Sequence, residues 1–284
     1  MALATYESNL KGTQDRYDAI HQYLHSEWFR DQTSPGTFTC EYYLRGCKAS
    51  VAASACYSEP KPSDCHLNHQ GEDYDGTVNG KPLRILFVGI DTGRGSDAVG
   101  LLRTDRYGLN DHYRGILKVL MEIFQVRASD DEQERLQVRS LLRRCAQTNT
   151  VQCCAPSGGR MGTNSTDVMR ENCWRYLKKE IEILEPTLIL FHGARVRDPF
   201  TESIGREGLT PTPIEGLPEC ETVRWTVFPN PFTSLLAFFH HPARGHFGKQ
   251  WPRVVYLLGR FRSQYAASFQ DGWTPLGRRE WPGI

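Results

Sequence analysis

The sequence predicts an α/β protein, a three-layer αβα sandwich around a central, mostly parallel β-sheet. Three observations predict it. Apolar runs of strand length recur as "LRILFVGI", "TLILFHG" and "LLAFF", the pattern of strands buried on both faces. Between them lie segments with the apolar spacing of helices, and this alternation is what a parallel sheet with crossover helices requires. The chain has 284 residues, 39% of them hydrophobic and 24% charged, enough for one good-sized core or one core with a small appendage.

Taken in order, residues 13–29 are expected to form an amphipathic helix, with Tyr17, Ile20, Leu24 and Trp28 at helical spacing. Residues 30–80 are rich in Cys, Ser, Pro and Gly, which predicts an irregular segment that needs something to order it. The core opens with a strand over Leu83–Ile90 and a Gly-rich turn. "HYRGILKVLMEIF" reads as a helix, and "SDDEQERLQVRSLLRRC" as another, with Ser129 and Glu132 placed as a capping box. "NTVQCCAP" is expected to be a short strand entering a loop. "STDVMRENCWRYLKKEIEIL" follows as a long helix closed by Pro186, and "TLILFHG" as the next strand. "TVRWTVFPNP" and "LLAFF" supply further strands before a last helix near 249–265. The organisation that results is an N-terminal helix and Cys-rich segment at 1–80, an α/β core at 81–265 and a C-terminal tail at 266–284. No internal repeat interrupts it.

No apolar run reaches the length of a bilayer span. "MALATYESNL" lacks the charged and apolar regions of a signal peptide, so a cytoplasmic, monomeric protein without membrane contact is expected. Nine cysteines are many for such a compartment, and the odd number argues against a closed disulfide framework. They are buried as small apolar residues, or a group of them holds a metal or cluster. The net charge is +1, yet His240–Ile284 carries seven Lys/Arg against two acids, a local +5. Such a basic end suits contact with phosphates as well as a plain solvated surface.

Strand ends in α/β sheets are where chemistry is mounted, and three of them carry polar groups. "GIDTG" presents Asp91 after the first strand, "TNTVQC" presents Asn149, and "HHPARG" presents His241 after the last apolar strand. An acid, an amide and an imidazole at the ends of one sheet can converge on one crevice. Taken singly, each is equally well a turn residue or a satisfied histidine.

In this order and spacing they resemble the uracil-DNA glycosylase superfamily. "GIDTG" is similar to its first motif, which reads Gly-Gln-Asp-Pro-Tyr, Gly-Ile-Asn-Pro-Gly or Gly-Glu-Ala-Pro-Gly. "HPA" at 241–243 is similar to its second, His-Pro-Ser, which precedes a loop that enters DNA. "TNTVQC", then a helix containing Cys173 and the strand "EPTLILFHGARV", resembles the iron–sulfur branch, family four, with its Thr-Asn-Val-Val-Lys-Cys. The resemblance spans roughly residues 50–262. It departs from the branch in having Asp91 in the first motif, Thr92 in place of Pro, no Cys-x-x-Cys, and no Pro-Phe pocket segment within 94–113.

That resemblance implies a [4Fe–4S] cluster on Cys153, Cys173, Cys65 and Cys56, with Cys47 and Cys40 as alternatives to Cys56 and Cys154 to Cys153. By chemistry alone four thiolates suit zinc as well. Cys145 and Cys220 are expected to be ordinary cysteines. It also implies a monofunctional DNA glycosylase that flips out uracil or a modified pyrimidine, bulky modified cytosines of phage DNA included, in repair or in antiviral defence. Asp91 would orient water and stabilise the cationic sugar, and His241 would donate a hydrogen bond to the leaving base. Asn149, with Ile90 beside the site, is the base-recognition candidate, since its amide offers donor and acceptor together. Arg244, Gly245, His246 and Lys249 would meet DNA, with Arg244, His246 or Phe247 as the wedge that fills the vacated stack. Tyr107 and Tyr113 are candidates for stacking on the extruded base. No lysine suited to lyase chemistry is evident, which implies an abasic product. The alternative is a non-catalytic iron–sulfur module of the same fold that binds or senses DNA.

Overall fold

The computed structural model describes residues 6–30, 38–40, 47, 69–78, 80–89, 111–126, 140–151, 165–206, 212–213, 223–227, 233–241 and 245–270. Four parallel strands form the centre: β7 (Ile85–Gly89), β8 (Cys145–Asn149), β9 (Leu188–His192) and β12 (Thr233–Phe239). Shorter strands extend this sheet antiparallel at both sides. They are β4 (His69–Gln70) against β8, and β10 (Thr212–Pro213) and β11 (Val223–Val227) beyond β12. The order is β10-β11-β12-β9-β7-β8-β4. Two smaller sheets pair β1 (Tyr6–Ser8) with β5 (Gly76–Val78) and β6 (Lys81–Pro82), and β2 (Trp28–Arg30) with β3 (Phe38–Cys40). The helices are α1 (Leu10–Glu27), α2 (Asp111–Phe124), α3 (Asp167–Leu184), α4 (Ala194–Arg206) and α5 (Gly245–Gln270).

Side chains alternate across the strands and fill two cores. Ile85, Phe87, Cys145, Leu188, Leu190, Ala237 and Phe239 pack against α2 and α5. Leu86, Val88, Ala146, Ile189, Phe191, Leu236 and Phe238 pack against α1, α3 and α4. Burial of each large apolar side chain stabilises the fold by roughly 1.5–3 kcal/mol, so helices on both faces are required by strands that are apolar on both. Helix α2 meets that demand with Tyr113, Ile116, Leu117, Leu120 and Ile123, one buried stripe at helical spacing.

Helix α3 begins where Thr166 accepts a hydrogen bond from the Met169 N–H at 3.2 Å. It ends at Glu185, whose φ of 44° is left-handed and whose N–H donates to the Ile181 carbonyl at 2.9 Å. Pro186 follows, as the sequence predicts, because proline cannot continue the helix. At this turn Arg84 donates to the Glu185 carbonyl at 2.6 Å and lies 3.4 Å from Asp75. Arg16 of α1 meets Asp75 at 3.2 Å and Glu185 at 2.9 Å. Two guanidiniums and two carboxylates thus tie the N-terminal helix, the β5–β6 hairpin and the α3–β9 turn to one another.

Several boundaries differ from the sequence reading. Helix α1 starts three residues earlier than position 13 and stops at Glu27, with Trp28 opening a strand instead of closing the helix. The strand carrying Asn149 is Cys145–Asn149 and not the 149–156 stretch. Before it, Leu141–Arg144 is a 3₁₀ turn, so Cys145 belongs to the strand and not to a helix. Residues of "ARGHFGK" from Gly245 onward form the first turn of α5, not a loop. The 30–80 segment contains β3, β4 and β5, and the capping box at Ser129 lies outside the described residues.

Asp75→Ala leaves Arg16 and Arg84 without their shared carboxylate, and loss of about 3 kcal/mol of stability is expected from breaking so covered a pair. Urea unfolding measures it. Lys11→Ala, at the exposed Lys11–Asp15 pair, is expected to change little.

Candidate active site

All four parallel strands end at the same side of the sheet. Register places Gly89 opposite Asn149, Val88 opposite Phe191, and His192 opposite Phe239. By the alternation of the strands, Gly89, Asn149, His192 and Phe239 share the face that packs on α2 and α5. The row of strand ends is closed by local backbone bonds. The Thr150 N–H donates to the Gly89 carbonyl at 2.9 Å, and the Gly193 N–H to the Phe239 carbonyl at 2.6 Å. Gly193 holds a φ of 110°, which side chains resist, so glycine is what lets β9 turn away directly after His192.

Asn149 and Gly89 are matched residues. A Cβ at position 89 would lie 2.5 Å from the Asn149 Oδ1, so the absence of a side chain there is what admits the carboxamide. On the opposite face, the neighbouring Thr148 hydroxyl donates to Glu180, a fully buried carboxylate of α3. This bond fixes the strand end on which Asn149 stands.

His241 follows β12 by two residues and is half-buried. Its ring stacks on that of His112, at the start of α2, with centroids 5.0 Å apart and planes 25° from parallel. His112 in turn meets His192 edge-on at 5.5 Å, and His192 leans on Phe87 at 5.2 Å. Three histidines from β9, α2 and the segment after β12 therefore form one cluster. His192 is fully buried, and neither of its ring nitrogens has a hydrogen-bond partner among the described residues. The same holds for the sealed Nδ1 of His112.

Burial, and then the charge of His241, push the His112 imidazole from its ordinary 6.5 down to about 3. Burial also pushes His192 well below its ordinary value, with His112 and His241 adding to the effect. Both rings are therefore neutral at physiological pH, and each then presents one N–H donor and one lone pair.

Of the residues singled out by sequence, Asn149 ends β8 and His241 follows β12, on the same side of the sheet but with β9 and β7 between their strands. Asp91, Ile90, Arg244, Tyr107, Cys56, Cys65, Cys153, Cys154 and Cys220 lie outside the described residues. Gly245 and His246 open α5, and Lys249 is exposed on it. Phe247 is not a wedge for DNA: it is 5% exposed and packs in the core against Trp251, with ring centroids 5.7 Å apart. Tyr113 is likewise a core residue, 4% exposed between α2 and the sheet. Cys145 is buried as an ordinary cysteine, its thiol donating to the Leu142 carbonyl at 3.4 Å, and burial pushes it up to about 12.

Cys173 is buried on α3, and the Cys47 sulfur is 3.3 Å from the Asn172 Nδ2 on the same helix. Cys47 thus lies against the residue that precedes Cys173 on α3. Among the described residues no group of three or more His, Cys, Asp or Glu is arranged to hold a metal ion. No helix among them is long and apolar enough to cross a membrane.

His112 and His192 were not singled out by sequence. The available signal was that "TLILFHG" ends an otherwise apolar strand in an imidazole. In comparisons with known proteins, no family model and no curated protein matches the chain.

The lowered histidines set the pH dependence of stability. Both are more readily protonated when unfolded, so the unfolded chain binds more protons below about pH 6.5 and stability falls as pH falls. The contribution is complete above the unfolded value and is lost toward the folded one, near 3 for His112. Urea midpoints between about pH 7.5 and 5 are expected to drop, approaching 1.4 kcal/mol per pH unit for each histidine below its unfolded value. His192→Leu should flatten that slope.

Proposed function

We propose that the chain is a monofunctional DNA glycosylase with a three-layer, uracil-DNA glycosylase-like fold. It extrudes a uracil or a modified pyrimidine from DNA and hydrolyses its N-glycosidic bond, leaving an abasic site. One observation carries the reading. Gly89, which leads two residues on to Asp91, sits in register with Asn149 on the same sheet face as the cluster containing His241. Asn149 and His241 thereby follow from the same row of strand ends, where crevices of parallel sheets receive ligands, and Asp91 follows Gly89 by two positions in the chain.

In this mechanism the bond to the base breaks first in charge and then in structure. The sugar gains positive character, which the Asp91 carboxylate stabilises while orienting the attacking water. The base gains negative character, which a hydrogen bond from His241 meets without a complete proton transfer. Asn149 reads the pairing edge of the base with one donor and one acceptor, and Ile90 adds a contact that cannot hydrogen-bond. Arg244, Gly245, His246 and Lys249, at and just before the start of α5, hold the phosphates on either side of the extruded nucleotide.

Cys173, buried on α3, suits a thiolate-ligated centre with Cys153, Cys65 and Cys56, and Cys47, buried and 3.3 Å from Asn172 of the same helix, is the alternative to Cys56, as is Cys40. A [4Fe–4S] cluster there would supply the free energy that orders the Cys-rich segment against α3. Its test is direct: visible thiolate-to-iron absorbance with matching iron and sulfide content is expected, and is lost in Cys173→Ser. Zinc in their place would identify the other occupant.

The enzymatic reading is tested by base release from oligonucleotides carrying uracil, hypoxanthine, thymine opposite guanine, or modified cytosines, with alkali revealing abasic sites. Release of one base is expected, reduced by about 10²-fold or more in Asp91→Ala and His241→Ala, the usual worth of a positioned acid–base group. An unchanged rate in Asp91→Ala would sink the mechanism. Tight DNA binding with no release from any substrate would instead identify a non-catalytic binding module. Gly89→Ala should keep the fold and lose base release, because the new methyl displaces only the Asn149 side chain.

A further inference from the structure

Glu180 is a buried acid that the proposed chemistry does not use. It is 0% exposed on α3, at the spacing 176, 180, 184 where Tyr176 and Leu184 belong to the stripe that packs on the sheet. An apolar residue would fill this position without cost, whereas a carboxyl group loses its hydration there and has to be compensated. Part of that compensation is the Thr148 hydroxyl of β8, which donates to Glu180. Thr148 is itself out of pattern. It is buried beside Val88 of β7, and valine has nearly the same shape without the hydroxyl.

A reason for a polar pair at this point lies in how β8 is held. Strands β7, β9 and β12 are gripped on both faces by large apolar side chains. Strand β8 is Cys145-Ala146-Gln147-Thr148-Asn149 and carries none. Its outer neighbour β4 pairs with Ala146 and Gln147 only, so among the described residues Thr148 and Asn149 have a strand on one side alone. The end of β8 is therefore held by its ladder to β7 and by the bond from Thr148 to Glu180. A hydrogen bond is directional where apolar contact is not. Successive side chains point to opposite faces, so holding the Thr148 side chain against α3 also sets the direction in which Asn149 leaves the strand.

We propose that Thr148 and Glu180 are positioning residues. Through the backbone of β8 they hold the Asn149 carboxamide in the orientation that reads a base, and they supply base selection, not stability. This rests on the glycosylase reading for the role of Asn149, though not for how Asn149 is held.

The test compares the full-length wild type with Thr148→Ser, Glu180→Gln and the double variant Thr148→Val/Glu180→Met. Serine keeps the donor and glutamine keeps an acceptor. The double variant replaces both partners by apolar groups of similar shape, which is nearly neutral or stabilising for a buried pair. NMR order parameters of the Asn149 backbone and carboxamide N–H groups, assigned by their loss in Asn149→Ala, read the positioning without any reaction. The ratio of release between the preferred and the next-best base of the oligonucleotide panel reads selection. In the double variant the melting temperature is expected to be no lower than in wild type. Its Asn149 order parameter should fall from the about 0.85 of rigid backbone toward about 0.6, and its ratio about tenfold, the worth of one hydrogen bond. Thr148→Ser and Glu180→Gln should keep both the rigidity and the ratio.

An Asn149 as rigid in the double variant as in wild type overturns the proposal and leaves the glycosylase standing wherever a base is still released. A mobile Asn149 with an unchanged ratio overturns it too, because selection then does not depend on that position. Mobility accompanied by a fall in melting temperature makes the pair a stabilising element, which is a third way for the proposal to fail. No release from any oligonucleotide, with Asn149 mobile in the double variant alone and its melting temperature kept, upholds the positioning and removes the glycosylase.

Discussion

The register of four parallel strands is the constraint on which everything else in this protein depends. Pairing of Gly89 with Asn149 and of His192 with Phe239 decides which side chains stand together at the strand ends. Because side chains alternate, a slip of one residue in β9 would turn His192 into the α3–α4 core and bring Phe191 to the site. That slip is prevented by the apolar pattern itself. Leu188 and Leu190 are needed against α2 and α5, and Ile189 and Phe191 against α1, α3 and α4. The packing that stabilises the fold is thus the same packing that aligns the polar groups, and stability and site geometry are not separable here.

A sheet this apolar ends abruptly in polar residues, and each is anchored differently. Asn149 is accommodated by the missing side chain of Gly89, and its strand is held from behind by the Thr148–Glu180 bond. The segment leading to His241 is fixed by the His240 N–H, which donates to the Gln250 Oε1 of α5 at 2.9 Å. His192 is held by packing alone, between Phe87 and His112. Rigid strands therefore carry the amide and one imidazole.

Much of this was legible in the sequence because it is written in local pattern. Ile85–Gly89, Leu188–His192 and Thr233–Phe239 are apolar runs with no competing interpretation. The strand Cys145–Asn149 is "CAQTN", with no large apolar residue, and it follows a run that reads as helix, so its start could not be located. Its last residue could, because Asn149 is polar at a turn. Trp28 continues a helical spacing that the chain abandons, a tertiary choice that spacing does not encode. The glycines of "GHFGK" suggest a loop, yet Phe247 and Trp251, four residues apart, place one face of α5 on the core. His112 and His192 are eighty residues apart, and only the contact of α2 with the sheet joins them. The Cys47–Asn172 contact, across 125 positions, is equally invisible before folding.

The charge state of the histidine cluster bears on which reaction class suits this site. A site that transfers or hydrolyses phosphate needs fixed positive charge where the substrate's negative charge lies. Here His112 is driven neutral by burial and then by His241, and His192 by burial and then by His112 and His241. The interior thus offers hydrogen bonds without net charge. That arrangement suits a ligand that is itself neutral and becomes anionic only as a bond breaks. A pyrimidine leaving a sugar is such a ligand, whereas a nucleotide phosphate, anionic from the start, is better matched by the Lys and Arg residues outside the cluster.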